Sequence, residues 1–179
     1  LVTSRSHPLG IVSATSGEFG PTSSIASIED AARVEGYSVT TVNLPETTPE
    51  AIGDAIRQLS REQVSGIVAL APQVRVFNVL RGMAIGVPFV SLQTASGSDG
   101  ISLSADQVAG AQLVTEHLIE LGHTDIIHLA GPQDWIEAES RMRGYLTALR
   151  EADLPTFPPI RGDWSTDFGY FAGRELARR

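Results

Sequence analysis

Short apolar runs that suit β-strands alternate along this chain with segments whose apolar residues recur at helical spacing. In the first half of the chain the strand-like runs are 9–13, 38–43, 66–70 and 87–91. Between them, apolar residues recur every three or four positions, which places them on one face of a helix. Regular strand–helix alternation with short connections favours a parallel sheet with helices on both faces. The sequence therefore predicts an α/β protein.

The second half of the chain continues this alternation with fewer strands. A helix is predicted from the capping pattern at Ser104–Gln107 to Gly122, with an inward face that includes Val114 and Leu121. A strand over 125–130 follows, and the elements after it are too few to cover their own apolar surface. We therefore expect a lead-in over residues 1–8, a complete first lobe over 9–123 and a partial second lobe over 124–179.

Composition excludes several classes of function. The chain has 179 residues, a formal net charge of −8 and no cysteine. An acidic surface is a poor match for a phosphate backbone, so we do not expect these residues to bind DNA themselves. Without cysteine there is no disulfide and no thiolate metal site. No apolar run has the length of a membrane span, so we expect no membrane partner.

No pattern of catalytic or metal-binding residues stands out. The chain has no G-x-S-x-G nucleophile motif and no phosphate-binding fingerprint, since Gly17 and Gly20 have the wrong spacing. The four histidines lack metal-ligand spacing, and we interpret His117 and His128 as structural. We therefore expect no enzymatic activity, no metal and no cofactor.

The predicted loop over 14–24 follows the first strand and leads into a helix. Its backbone N–H groups and hydroxyls could hold a polyol or an anion. A plain strand-to-helix loop with a Ser or Thr cap explains the same residues equally well. The candidate ligand contacts here are Ser16, Phe19, Thr22 and Ser23.

Two charged candidates lie in the second half of the chain. Asp106 begins a predicted helix, where a carboxylate either stabilises the helix N-terminus or accepts hydrogen bonds from ligand hydroxyls. Arg141 can form two hydrogen bonds to vicinal hydroxyls, or it can pair with Glu137 four residues earlier. Arg143 is expected to be solvated, because its neighbours face the core.

Both tryptophans of the chain follow a predicted strand and precede a predicted helix. Trp135 and Trp164 each have polar neighbours, which makes a purely space-filling role less attractive. An indole face at such a position can stack on a sugar ring or a base. We interpret both as ligand contacts.

The order of these segments resembles the effector-binding core of the Lac repressor/Gal repressor family. Asp106 and Gly110 match the family's Asp-x-x-x-Gly, and Arg141 and Gly144 match its Arg-x-x-Gly. Trp164 matches an aromatic residue of the effector pocket. The segments that carry the resemblance are GPTSSIASIEDAARVEGYSV, VSGIVAL, GVPFV, ADQVAGAQLVTEHLIELGH, IIHLAGP, RMRGYLTAL and GDWSTDFGY.

The resemblance implies a periplasmic-binding-protein-like fold whose two lobes enclose a small, sugar-like effector. It implies a cytoplasmic, homodimeric repressor that binds operator DNA through an N-terminal helix-turn-helix outside residues 1–179. The loop over Ser16–Ser23 is then expected to face the effector from one lobe, with Trp135, Arg141 and Trp164 facing it from the other. A solute-binding protein of a sugar transporter is the alternative, since it shares the fold; the upstream sequence discriminates the two.

Overall fold

The computed structural model of the chain describes residues 8–14, 19–92 and 101–178. The chain divides into two compact units, Leu1–Leu103 and Ser104–Arg179. We call these the first and the second unit, and each has its own core.

The first unit contains a five-stranded parallel sheet in the order β2-β1-β3-β4-β5. On the central strand, Ile11 lies opposite Thr41 on one side and Val68 on the other. Because the chain goes from β1 to one neighbour and then crosses to the other, a topological switch point lies between β1 and β3. The strands are β1 (Leu9–Ser13), β2 (Val39–Asn43), β3 (Gly66–Leu70), β4 (Phe89–Leu92) and β5 (Ile101–Leu103).

Helices cover both faces of this sheet. A Cβ at Gly10 would lie 2.8 Å from Leu59 Cδ1, so the second helix packs directly on the backbone of β1. Leu9 points to the opposite face, because successive strand residues alternate. There it lines a shallow depression with Ile28 and Ala32 of the first helix. The predicted layer arrangement is confirmed. The helices of this unit are α1 (Phe19–Val34), α2 (Pro49–Arg61) and α3 (Val74–Gly82).

The core of the first unit lies between the sheet and helices α2 and α3. Ile52 and Leu59 of α2, Ile67 of β3 and Val76 and Leu80 of α3 are all at most 2% exposed. Full burial of such a side chain contributes about 1.5–3 kcal/mol. The periodic apolar residues of the sequence therefore account for most of what holds this unit together.

The second unit pairs two long helices with a small parallel sheet. Residues Met142, Tyr145 and Leu149 of its longest helix pack on Ile126 and Ala130 to form the core. The two short strands of its sheet, Leu129–Ala130 (β6) and Ile160–Arg161 (β7), pair in parallel. The elements are α4 (Gln107–Glu120), β6 (Leu129–Ala130), α5 (Ile136–Glu151), β7 (Ile160–Arg161) and α6 (Thr166–Leu176).

Helix α4 packs against α5, and a glycine makes this contact possible. A Cβ at Gly144 would overlap the carbonyl oxygen of Val108, so the two helices approach each other at backbone distance. This packing places α4 in the second unit, whereas the predicted first lobe extends to residue 123. The lobe boundary itself stays a prediction.

Three local expectations were wrong. The strand predicted over 125–130 is only two residues long, Leu129–Ala130. Val114 and Leu121 of α4 were expected to be buried, but they are 65% and 63% exposed. Of the residues of α4, all described by the structure, Thr115 alone is buried, because the helix turns another edge towards α5. The loop predicted over 14–24 is also shorter, since α1 already begins at Phe19 and tolerates Pro21 in its first turn.

None of the helices among the described residues is both long and apolar enough to cross a bilayer. Within the same ranges, no group of three or more His, Asp or Glu side chains is placed to hold a metal ion.

Candidate functional site

A cavity of about 400 Å³ lies in the second unit, lined by α4, α5 and the residue that precedes β6. The start of α4 contributes two polar groups, and α5 contributes a cation. This volume falls in the range of small-molecule sites, about 300–1,000 Å³. The polar side chains of its lining are Asp106, Gln107, Thr115, His128, Arg141 and Tyr145.

Arg141 is held at the edge of this cavity by helix α4. Its Nη1 donates a hydrogen bond to Gln107 Oε1 at 2.6 Å. Glu137, the alternative partner, instead accepts a hydrogen bond from Gln107 Nε2 at 3.2 Å. Gln107 therefore bridges the arginine and the carboxylate. The guanidinium keeps further donors for a ligand, since it carries five N–H groups.

The two tryptophans meet beside Arg141, as the sequence analysis required of a common site. Their rings lie 5.5 Å apart in an edge-to-face arrangement, and Arg141 Cζ lies 5.4 Å from the Trp164 ring centroid. A Cβ at Gly131 would overlap the Trp164 ring, so this glycine lets the indole lie against the end of β6. The three side chains form one continuous surface of two aromatic rings and a cation.

Trp164 adopts an unusual backbone conformation. Its φ of +67° is in the left-handed region, which costs a bulky residue about 1–3 kcal/mol. The residue is nevertheless 41% exposed. Such strain concentrates at ligand contacts and switch regions, which supports the interpretation of Trp164 as a ligand contact.

Asp106 caps α4, as one of its two interpretations predicted. Its Oδ1 accepts a hydrogen bond from the Ala109 backbone N–H at 2.9 Å. The side chain also lines the cavity. Because a carboxylate has several lone pairs, capping leaves Asp106 able to accept from a ligand hydroxyl as well.

Burial and the arginines shift two titratable groups here. Burial raises the pKa of Glu137, while the Arg141 charge and the Gln107 hydrogen bond act in the opposite direction. Burial lowers the pKa of His128 below its ordinary value, and the charges of Arg141 and Arg161 lower it further. At neutral pH His128 is therefore an uncharged imidazole beside a cation.

The structure says less about the candidate ligand contacts in the first unit. Ser16 lies outside the described residues, and the side chain of Phe19 does too, although its backbone begins α1. Thr22 and Ser23 are exposed in the first turn of α1, where Ser23 Oγ donates to the Gly20 carbonyl at 2.9 Å. Their role as ligand contacts stays a prediction.

Sequence reasoning missed His128 as a cavity residue. His128 directly precedes β6 and lies two residues from Ile126 and two from Ala130, which both belong to the core. A polar residue at the spacing of these apolar residues was the sequence signal that could have identified His128.

Sequence reasoning also missed Gln73, which follows β3 at the switch point of the first sheet. Its Nε2 donates to the Ala14 carbonyl at 3.1 Å, and the side chain is buried. Within the part of the chain that the structure describes, its Oε1 has no hydrogen-bond partner.

The fold and this site define a ligand-binding α/β protein of the periplasmic-binding type. Residues 21–164 match the family described as periplasmic binding proteins and sugar binding domain of the LacI family, and the chain belongs to that family.

Its curated relatives include bacterial repressors. The lactose operon repressor of Escherichia coli K12 is 26% identical over 171 residues, which cover 95% of this chain and 48% of the repressor. The ribose operon repressor of the same organism is 25% identical, over 98% of this chain and 54% of that protein. The chain thus spans about half the length of these relatives. They are repressors rather than enzymes, in agreement with the expectation of no enzymatic activity.

Solved structures of the Lac repressor share the fold. The Lac repressor dimer bound to operator and the anti-inducer ONPF aligns with a TM-score of 0.86 at 25% identity. The alignment covers 98% of this chain and 54% of that chain. The predicted family and fold class are confirmed.

Proposed function

We propose that this chain is the effector-sensing part of a Lac repressor/Gal repressor-type transcription regulator, and that its effector is a small, sugar-like polyol. The observation that carries this proposal is that Arg141, which lines the cavity, lies over the Trp164 ring, which in turn meets Trp135 edge to face. An aromatic face beside a bidentate donor suits a sugar ring, which has an apolar C–H surface and a hydroxyl edge.

Asp106 complements these groups in the proposal. Arg141 donates hydrogen bonds only, whereas the Asp106 carboxylate accepts them only. Vicinal hydroxyls each offer one donor and two acceptor sites, so a polyol can satisfy both residues at once.

The loop after β1 is proposed as the second set of contacts, so that the effector lies in a cleft between the two lobes. The support for this is topological. The loop begins at the switch point of its own parallel sheet, at the carboxyl ends of the strands, where α/β sheets hold their ligands. An effector that touches both lobes would favour a closed cleft, because only closure brings both sets of groups to the ligand.

The remaining parts of the proposal concern the whole protein. We propose a cytoplasmic homodimer in which a helix-turn-helix outside residues 1–179 binds operator DNA, and in which cleft closure changes operator affinity. The support is that the lactose and ribose relatives are operon repressors. The family's description also covers periplasmic binding proteins. Upstream sequence tests this alternative, since a secreted solute-binding protein would carry an apolar signal in place of a helix-turn-helix.

Substitution of Arg141 tests the site. Calorimetry of the full-length protein against neutral sugars, with D-ribose and lactose among them, identifies a ligand. We then expect Arg141→Ala to weaken its binding by about 2–4 kcal/mol, because charged hydrogen bonds are lost and ligand hydroxyls stay unpaired.

Arg143→Ala is the matched control on the same helix. Arg143 is exposed and its Nη2 hydrogen-bonds Ser140 Oγ at 3.0 Å, on another side of α5 from the cavity lining. We expect its affinity to equal that of the wild type. Equal affinities of all three proteins would refute the assignment of Arg141 to the site.

A further inference from the structure

We propose that His128 is a specificity-determining residue of the effector cavity, which selects an uncharged, hydroxyl-bearing effector through a neutral imidazole. This inference rests on the function proposed above. It adds a residue outside the Asp-x-x-x-Gly and Arg-x-x-Gly motifs and states what that residue contributes to the choice of effector.

The position of the His128 ring is fixed by a chain of contacts. The Tyr145 hydroxyl donates to the Ile126 carbonyl at 2.8 Å, which holds the phenol ring in the core. The His128 ring stacks on that phenol, with centroids 5.1 Å apart and planes 18° apart. Because the phenol is anchored, stacking on it restricts rotation of the imidazole away from the cavity that it lines.

The imidazole nitrogens remain available to a ligand. Neither ring nitrogen of His128 forms a hydrogen bond with any part of residues 8–14, 19–92 or 101–178, and the residue is only half-buried. A neutral imidazole offers one donor and one acceptor. A hydroxyl group can satisfy either of them, and a vicinal pair of hydroxyls can also reach Arg141.

Burial, together with two nearby arginines, favours the neutral imidazole of His128. Burial and the charges of Arg141 and Arg161 lower its pKa below the ordinary 6.5. Protonation would replace the acceptor with a second donor and put a positive charge beside Arg141. The charged and titratable groups near this site are Asp106 at the start of α4, Glu137, Arg141 and Tyr145 on α5, and Arg161 on β7, which pairs with Glu139 at 2.6 Å.

Two consequences follow for effector binding. An uncharged sugar should bind more weakly as the solution is acidified through the pKa of His128, since the acceptor is lost. A phosphorylated sugar should gain no affinity from His128 at neutral pH, because an uncharged imidazole supplies no positive charge to the phosphate.

The test measures affinity of the full-length protein for D-ribose, lactose and D-ribose 5-phosphate between about pH 5 and pH 7.5. For a neutral sugar we expect a loss of about fivefold in affinity at the acidic end, the size of one net hydrogen bond. His128→Gln keeps a donor and an acceptor but has no titratable proton. The affinity of this variant for the sugar should therefore lack the pH dependence that His128 causes, and only changes common to both proteins should remain. Glu137 is common to both proteins, so its titration cancels in the comparison.

His123→Gln is the matched control, since His123 is exposed in the turn after α4 and does not line the cavity. It should keep the pH profile of the wild type. If the variant is unstable, a measurement on the wild type alone still tests the inference. NMR titration of the His128 ring should give a lower pKa with a saturating neutral sugar than without it.

The outcomes are distinguishable. Equal pH profiles for wild type and His128→Gln, or an unchanged ring pKa, would overturn this inference and leave the proposed function intact. The same holds if His128→Gln weakens binding of D-ribose 5-phosphate at pH 7.5 more than binding of D-ribose, since that would show a charged imidazole. Failure of the wild type to bind any of the three probes would overturn the proposed function and this inference together.

Discussion

Gly144→Ala probes the closest helix contact of the second unit. Gly144 lies on α5 where this helix crosses α4, and its own backbone is buried. An added Cβ would overlap the Val108 carbonyl oxygen and lie 2.9 Å from Gln112 N and 3.0 Å from Ala111 Cβ. Two of these neighbours are backbone atoms, which cannot rotate away. Accommodation therefore requires a shift of one helix relative to the other.

The magnitude follows from two opposing effects. Alanine is favoured over glycine inside a helix by about 0.8–1 kcal/mol. Overpacking in a close-packed interior destabilises by about 1–3 kcal/mol, and a clash with backbone atoms belongs at the upper end. We therefore expect Gly144→Ala to lower the free energy of unfolding by about 2 kcal/mol. The helix shift would also displace Arg141, three residues earlier, from Gln107.

Gly173→Ala is the matched control in helix α6. No atom lies within 4 Å of the position that its Cβ would occupy, so only the helical preference for alanine remains. We expect it to raise the free energy of unfolding by about 0.5–1 kcal/mol. Urea denaturation followed by circular dichroism measures both variants. If Gly144→Ala were as stable as the wild type, backbone-distance packing of α4 on α5 would be refuted.

Two further predictions concern stability. Asp106→Ala removes the α4 cap and should lower the free energy of unfolding by about 1 kcal/mol. Asp106→Asn keeps a capping side chain and should change it by only about a few tenths of a kcal/mol. Equal effects of both changes in urea denaturation would contradict the capping role. The pKa of His128 is lowered on folding from 6.5, so below that pH the unfolded chain binds more protons. The free energy of unfolding should fall as the pH drops from 6.5 through the folded pKa, and should not change through this group above 6.5. His128→Gln should remove that slope, and a slope of equal size in the variant would show that another group is responsible.

Much of the site was readable from the sequence because its residues follow local rules. Asp106 and Arg141 line one cavity, and Trp135 and Trp164 contact each other beside it. Their positions after strands and at helix starts are set by short-range signals such as caps and turns. Short-range signals do not determine the hydrogen-bond partners of these side chains. Gln107 and Arg141, for example, are 34 residues apart in the chain, and no local pattern links them.

The sequence by itself determined the α/β class and the parallel sheet, because the period of its apolar residues distinguishes strand from helix within a few positions. Only the tertiary structure decided which face each helix buries. Val114 and Leu121 have the right period for a core face but are exposed, because Gly144 brings α5 against a different edge of α4. The spacing of apolar residues identifies which residues share one face of a helix. It does not identify which element packs on that face, because that depends on contacts between residues far apart in the chain. The sequence also predicted that His128 lies in a strand, but β6 begins only at Leu129. The place of His128 in the cavity that Arg141 also lines became visible only in three dimensions.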